Sequence, residues 1–190
     1  MAEVLGLFGK YRARAVARHA VISDPHAVAG AALANMLPNN PFLGFALAFA
    51  SHYVLDMIPH KDYSIDNFLK KETRTAMSIF QNAGAALHFL FVVFDFILAI
   101  FLCFLFFVRD EKSIVITLIG LVGGILPDFF QFMYYKHKHQ PWIFLQNIHD
   151  RVHHILVKND DEKSLSFFIF GIAIQFVLPF VIIITYYLIK

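Results

Sequence analysis

The chain has 190 residues, enough for one domain and hardly for two. It is 58% hydrophobic and 16% charged, with 23 phenylalanines, where a soluble domain has about 45–50% apolar and about 25% charged residues; this excludes a disordered chain and argues against an ordinary soluble enzyme. A net charge of +2 is too small for nucleic acid to be the main partner, and the single Cys103 excludes a disulfide framework or a cysteine-rich zinc module.

Residues 1–23 carry Lys10, Arg12, Arg14 and Arg18 without the layout of a cleavable signal peptide. Arginines spaced among alanines predict an amphipathic helix at a membrane interface. Asp24-Pro25 starts the next helix, with Asp24 as N-cap and Pro25 in the first turn. The stretch 25–37 is short and rich in Ala and Gly, so it should pack closely against a neighbour. Pro38-Asn39-Asn40-Pro41 is a turn, and 41–58 is almost free of charge, which makes 25–60 a helical hairpin. Three longer apolar stretches, 83–108, 113–135 and 165–189, reach the roughly 20 residues that a bilayer core requires. In the polar loop 136–163, Leu145, Ile148, Val152 and Ile155 predict a short amphipathic helix resting on the bilayer. The expected architecture is all-α: a single membrane domain over 1–190, with about five transmembrane helices and short interfacial ones.

Positive charge sets the orientation. With five spans, one side receives 13 Lys and Arg residues and the other three. Treating 25–37 as non-spanning gives seven against nine, which decides nothing. The five-span arrangement with a cytoplasmic N-terminus is the better supported.

The polar residues fall into a pattern on that frame. Ionisable groups in membrane segments are costly and are functional candidates by default. His26 opens the first helix, and His52 and Asp56, four apart, share a face of the second. His60 ends that helix. Asp128, after Pro127, lies near the cytoplasmic end of the fourth, and His149 and His153 are again four apart in the loop helix. The charge count used only Lys and Arg, yet it brings all seven to one membrane face.

Imidazole nitrogens and carboxylate oxygens without thiolates suit zinc, manganese or iron. Seven candidates exceed the three or four protein ligands of one catalytic zinc, so two or three ions would use them all. Paired metals activate water and stabilise both oxygens of a phosphoester displacement. Asp56 and Asp128 are the candidates to bridge ions or orient water, and Lys61 or Arg151 to hold a phosphate oxygen. Each motif also has a plain reading. An isolated HxxxD or HxxxH arises often by chance, Asp128 fits a cap at a proline kink, Asp95 fits a buried hydrogen-bonding residue, and His88 fits neutral packing between helices. Only the joint pattern favours metal.

The segments Asp24-Pro25-His26-Ala27-Val28-Ala29-Gly30-Ala31, Ser51-His52-Tyr53-Val54-Leu55-Asp56-Met57-Ile58-Pro59-His60, Leu126-Pro127-Asp128 and His149-Asp150-Arg151-Val152-His153 resemble membrane-bound metal-dependent hydrolases of the LexA-regulated inner-membrane type. Their His/Asp order is distantly similar to the all-helical zinc-dependent phospholipase C and nuclease fold. The likeness covers most of 25–157. It implies an inner-membrane hydrolase of a phospholipid or other membrane-associated phosphoester, with His26, His52, Asp56, Asp128, His149 and His153 as ligands and His60 beside them. The phospholipase pattern adds an N-terminal amine and an acidic residue four after its last ligand histidine. Here a long extension precedes His26 and Val157 occupies that later position, so the number of ions stays open.

Two rival readings stand beside the hydrolase. A non-catalytic membrane protein would use the same residues as a structural metal site or a hydrogen-bonded core. A metal-ion transporter is disfavoured, because Phe96-Ile97-Leu98-Ala99-Ile100-Phe101-Leu102 after Asp95 offers no ion path. Neither HExxH nor GxSxG occurs, against zinc proteolysis and serine chemistry.

Overall fold

The computed structural model describes residues 19–20, 24–58, 63–64, 83–153 and 165–190. The basic segment 1–18, His60, Lys61 and loop residues 154–164 lie outside them. Six helices are described: α1 (Asp24–Met36), α2 (Pro41–Asp56), α3 (Ala83–Phe107), α4 (Glu111–His137), α5 (Trp142–His153) and α6 (Leu165–Ile189). A two-residue antiparallel pairing joins β1 (His19–Ala20) to β2 (Tyr63–Ser64).

The helix ends follow local chemistry. The Asn40 side chain accepts from the backbone N–H of Leu43 at 3.1 Å and Pro41 opens the first turn, so α2 starts immediately after the predicted turn. Asp110 and Ser113 form a reciprocal capping box that starts α4, with Ser113 N–H donating to Asp110 Oδ1 at 2.7 Å. Lys138 ends α4 in the left-handed conformation at φ 50°, its N–H donating to Tyr134 O.

The short helix α1 forms the centre, packed against α2, α3, α4 and α6. Its small residues explain this. A Cβ at Gly30 would overlap the carbonyl oxygen of Gly120, and one at Gly124 would overlap that of His26, so α1 and α4 touch backbone to backbone. Gly30 and Ala34 on α1 face Gly120 and Gly124 on α4, each pair four apart, the spacing that lets helices approach closely in a membrane. On the other side of α1, Ala99, Cys103 and Phe107 of α3 and Ile183 and Tyr186 of α6 complete the core. Deep between α1 and α4, Asn35 Nδ2 donates to Thr117 Oγ1 and to Ala31 O, both at 2.9 Å, so this buried amide is satisfied.

The outside is apolar. Phe94 (63% exposed), Ile97 and Phe101 of α3 and Phe176, Ile184 and Leu188 of α6 face outward, a surface that water would not tolerate over such an area. The sequence predicts five spans. Among the described residues two segments, Phe89–Phe107 and Glu111–Tyr134, are long and apolar enough to cross a membrane, and a third apolar stretch, Phe176–Ile189, is shorter. The 13 residues of α1 reach only about 20 Å against a hydrocarbon core of about 30 Å. Its apolar character reflects burial in protein.

Candidate metal centre

Three helices carry the same design. On α2 the buried stripe is Gly44, Ala48, His52 and Asp56, every fourth residue. On α4 it is Gly120, Gly124 and then Asp128, and on α1, running the opposite way, Ala34, Gly30 and then His26. Small residues bring the backbones together, and one turn beyond the closest approach each stripe ends in a ligand-type side chain. The helix α5 packs across this end of α4 and α2 and adds His149 from its buried face.

The five side chains converge. His52 Nε2 lies 3.2 Å from Asp56 Oδ2 and 3.5 Å from Asp128 Oδ1. His26 Nε2 lies 3.5 Å from Asp56 Oδ1, and His149 Nε2 lies 3.6 Å from Asp56 Oδ2. Two overlapping groups, His26/His52/Asp56 and His52/Asp128/His149, each keep their ligand atoms within 4.8 Å of one another. His52 and Asp56 are fully buried, while Asp128 keeps 19% of its side-chain surface exposed.

The tautomer of His52 follows from its partner. Its Nδ1 stands 2.7 Å from the carbonyl oxygen of Gly124, which can only accept, so Nδ1–H is the donor. Pro127 lacks the N–H that would bond back to the carbonyl of Gly123, the residue before the Gly124 carbonyl that holds His52. His52 Nε2 is thereby aimed at the two carboxylates. Neither it nor the two oxygens of Asp56 has a hydrogen bond of acceptable geometry, and buried carboxylates facing imidazole nitrogens require a cation between them. Protons on the rings would supply one, but the rings of His26 and His52 stack at 4.1 Å, where two imidazolium charges repel.

A divalent ion fits better. Ligands about 2.0–2.2 Å from a tetrahedral ion lie about 3.3–3.6 Å from each other, the spacing of these contacts. A backbone carbonyl holding the far nitrogen of a histidine is the usual support of a metal ligand. With Nδ1 engaged, His52 can serve one ion only. Asp56 turns one oxygen to His26 and the other to His52 and His149, so its carboxylate stands between two half-sites. The cluster could hold a metal ion.

The structure thus brings together His26, His52, Asp56, Asp128 and His149. His153 lies one turn past His149 on α5, but its side chain, like all of His60 and Lys61, falls outside the described residues. Arg151 is exposed, on the side of α5 turned away from His149. Two neighbours escape a search for ligand spacings. Tyr53, half-buried, sets its ring edge-on to His52 at 5.6 Å and to His149 at 6.2 Å. Gln146, buried on α5, donates its amide to Asp150 Oδ1 at 2.7 Å. Tyr53 was within reach, being next to His52 in the same motif. Comparison with family models, curated proteins and solved structures finds no match to this chain.

Proposed function

We propose that the chain is an integral-membrane, metal-dependent phosphoester hydrolase of the LexA-regulated inner-membrane type, acting on a phospholipid or another membrane-associated phosphoester. The observation that carries the reading is the convergence of three histidines and two aspartates from four helices with ligand-to-ligand spacing. Two ions would account for the donors, and Asp56, with one oxygen toward His26 and the other toward His52 and His149, is placed to be shared between them. A bound zinc ion would acidify a coordinated water to near neutral pH and polarise a phosphoryl oxygen. The chain's own residues do the rest. Gly124 fixes the ring of His52, Asp56 spaces the half-sites, and Asp128, the most exposed of the five, is placed to orient water or accept its proton. The half-exposed Tyr53 beside Asp128 and His149 lines the approach.

The apolar outer faces of α3 and α6 support residence in a bilayer. With α1 and α2 crossing as one packed hairpin, the charge count supports five spans, a cytoplasmic N-terminus and a site at the inner leaflet, where a phospholipid headgroup would reach it. Full burial of His52 and Asp56 favours a second reading, a closed structural ion site without turnover. The discriminating experiment measures zinc, manganese and iron in detergent-purified protein and assays hydrolysis of phospholipid and of bis(para-nitrophenyl) phosphate. The hydrolase reading expects bound metal and turnover, both lost in His52→Ala. Metal without turnover establishes the structural site, and a folded protein with no metal sinks both.

A further inference from the structure

Outside the ligand cluster, Oε1 of Gln146 is a buried side-chain oxygen without a hydrogen bond. The amide nitrogen of Gln146 donates to Asp150 Oδ1 at 2.7 Å. That bond fixes the carboxamide, because turning it over would set its oxygen against a carboxylate. Oε1 therefore points away from Asp150, and with 3% of the residue exposed it points into protein.

The direction is set by the helix. Gln146 lies one turn before His149, on the face of α5 that packs on α4 and α2. One turn earlier still, Trp142 meets Phe130 of α4 with ring centroids 5.9 Å apart. One turn later, His149 meets the rings of His52 (5.6 Å) and Tyr53 (6.2 Å) on α2. Gln146 lies between these contacts along α5 and is buried. A buried acceptor without a donor opposes folding, so an occupant of the site must bring one. Histidine and aspartate supply every ligand atom of the cluster, and a carboxamide oxygen differs from both in accepting a hydrogen without taking the proton.

We propose that Gln146 is a positioning residue of the ion centre, its Oε1 accepting a hydrogen bond from a water molecule held there and fixing that water's orientation. The proposal rests on reading the cluster as an ion centre. It leaves the role of base to Asp56 or Asp128, since an amide cannot serve as one at neutral pH.

The test uses the full-length protein in detergent, loaded with manganese(II), and compares wild type with Gln146→Leu and with Gln146→Glu made together with Asp150→Asn. Gln146→Leu, close in size and without an acceptor, is expected to keep the manganese stoichiometry and lower the water-proton relaxation enhancement of the bound ion. Its kcat for bis(para-nitrophenyl) phosphate should fall about tenfold at unchanged KM, the worth of one hydrogen bond. Gln146→Glu made together with Asp150→Asn keeps an oxygen acceptor without setting two carboxylates against each other, and should keep both properties. A Leu variant with wild-type relaxation and kcat overturns the proposal, and so does one that loses manganese, which would make Gln146 a ligand. If wild type turns over no phosphoester while the relaxation difference persists, the hydrolase reading fails and the placement of Gln146 stands.

Discussion

His52 holds more of the site together than any other residue. Its Nδ1–H is committed to Gly124 O, and its Nε2 faces both aspartates. Changing a partner that merely supports a ligand costs about 10–100-fold in metal affinity, so His52→Ala, which removes the ligand itself, should cost more and leave purified protein without zinc. Its helix content should stay near wild type, because Gly44 and Ala48 still pack α2 against its neighbours. Elemental analysis and circular dichroism on one preparation check both halves. Asp56→Asn is the sharper probe of the shared carboxylate. An amide keeps the shape but loses the charge and one acceptor oxygen, so a two-ion centre should fall to one ion or none, whereas a single-ion centre without bridging would keep its stoichiometry. At this scale the sequence was informative about charge-bearing ligands and blind to neutral ones. His52 and Asp56 announce themselves by a spacing of four in an apolar helix. Gln146 carries no such signal, since its importance lies in an acceptor left unsatisfied by its three-dimensional surroundings.

Helices place these side chains by how closely their backbones approach. Gly124→Ala puts a methyl group into the His26 carbonyl, and backbone cannot yield as a flexible side chain would. The expected cost is about 1–3 kcal/mol with weakened zinc binding, since α1 must move and carry His26 with it. Gly44→Ala is the control: its Cβ would lie 3.1 Å from Ala34 Cα, tight but tolerable, far from the ligands, so thermal stability should drop less and zinc content hold. The N-terminus of α4 gives a pH-dependent test. The Ser113 backbone N–H, together with its hydroxyl, holds the Asp110 carboxyl below the ordinary carboxylate value. A depressed pKa stabilises the fold above the unfolded value and ceases to do so as pH falls through the folded one. Asp110→Ala should thus lower the thermal midpoint by about 2–4 °C at pH 7, and the difference from wild type should shrink as pH falls below the ordinary carboxylate range. The same cap shows why sequence located this helix but not its ends. Hydropathy suggests 113–135, whereas the helix spans Glu111–His137, because its first and last turns are polar and are set by Asp110 and by the left-handed Lys138. The hairpin was legible from Pro38-Asn39-Asn40-Pro41. The central position of α1 was only half legible: Ala and Gly announced close packing but not which neighbours surround it.

Across the whole molecule the two ends differ in chemistry. At the end opposite the cluster, Lys112 Nζ donates to Asn39 Oδ1 at 2.9 Å, tying the hairpin turn to the start of α4. There too Arg109 lies over the Tyr187 ring at 5.3 Å and Lys190 over that of Tyr186 at 5.1 Å, the tyrosine and cation pairing that suits a membrane–water boundary. Lys136, in the last turn of α4, and Lys138, which caps it, mark the cluster end; the 27 residues of α4 extend about 40 Å and so exceed a hydrocarbon core of about 30 Å. If α4 crosses the bilayer, and α1 and α2 with it as a packed pair, Asn39 and Lys112 must open to one compartment and Lys136 to the other. Single-cysteine variants at these exposed positions decide this in sealed vesicles of known orientation, using a maleimide that cannot cross membranes. Cys103 is fully buried and needs no replacement. Asn39→Cys and Lys112→Cys should react only from outside right-side-out vesicles, and Lys136→Cys only in inverted ones. Labelling of all three from one side would mean that α4 does not span, and would leave the apolar faces of α3 and α6 to be covered by something other than lipid. Opposite labelling with the sides exchanged would keep the fold and move the ion centre to the outer leaflet, which would change the pool of phosphoesters that can reach it.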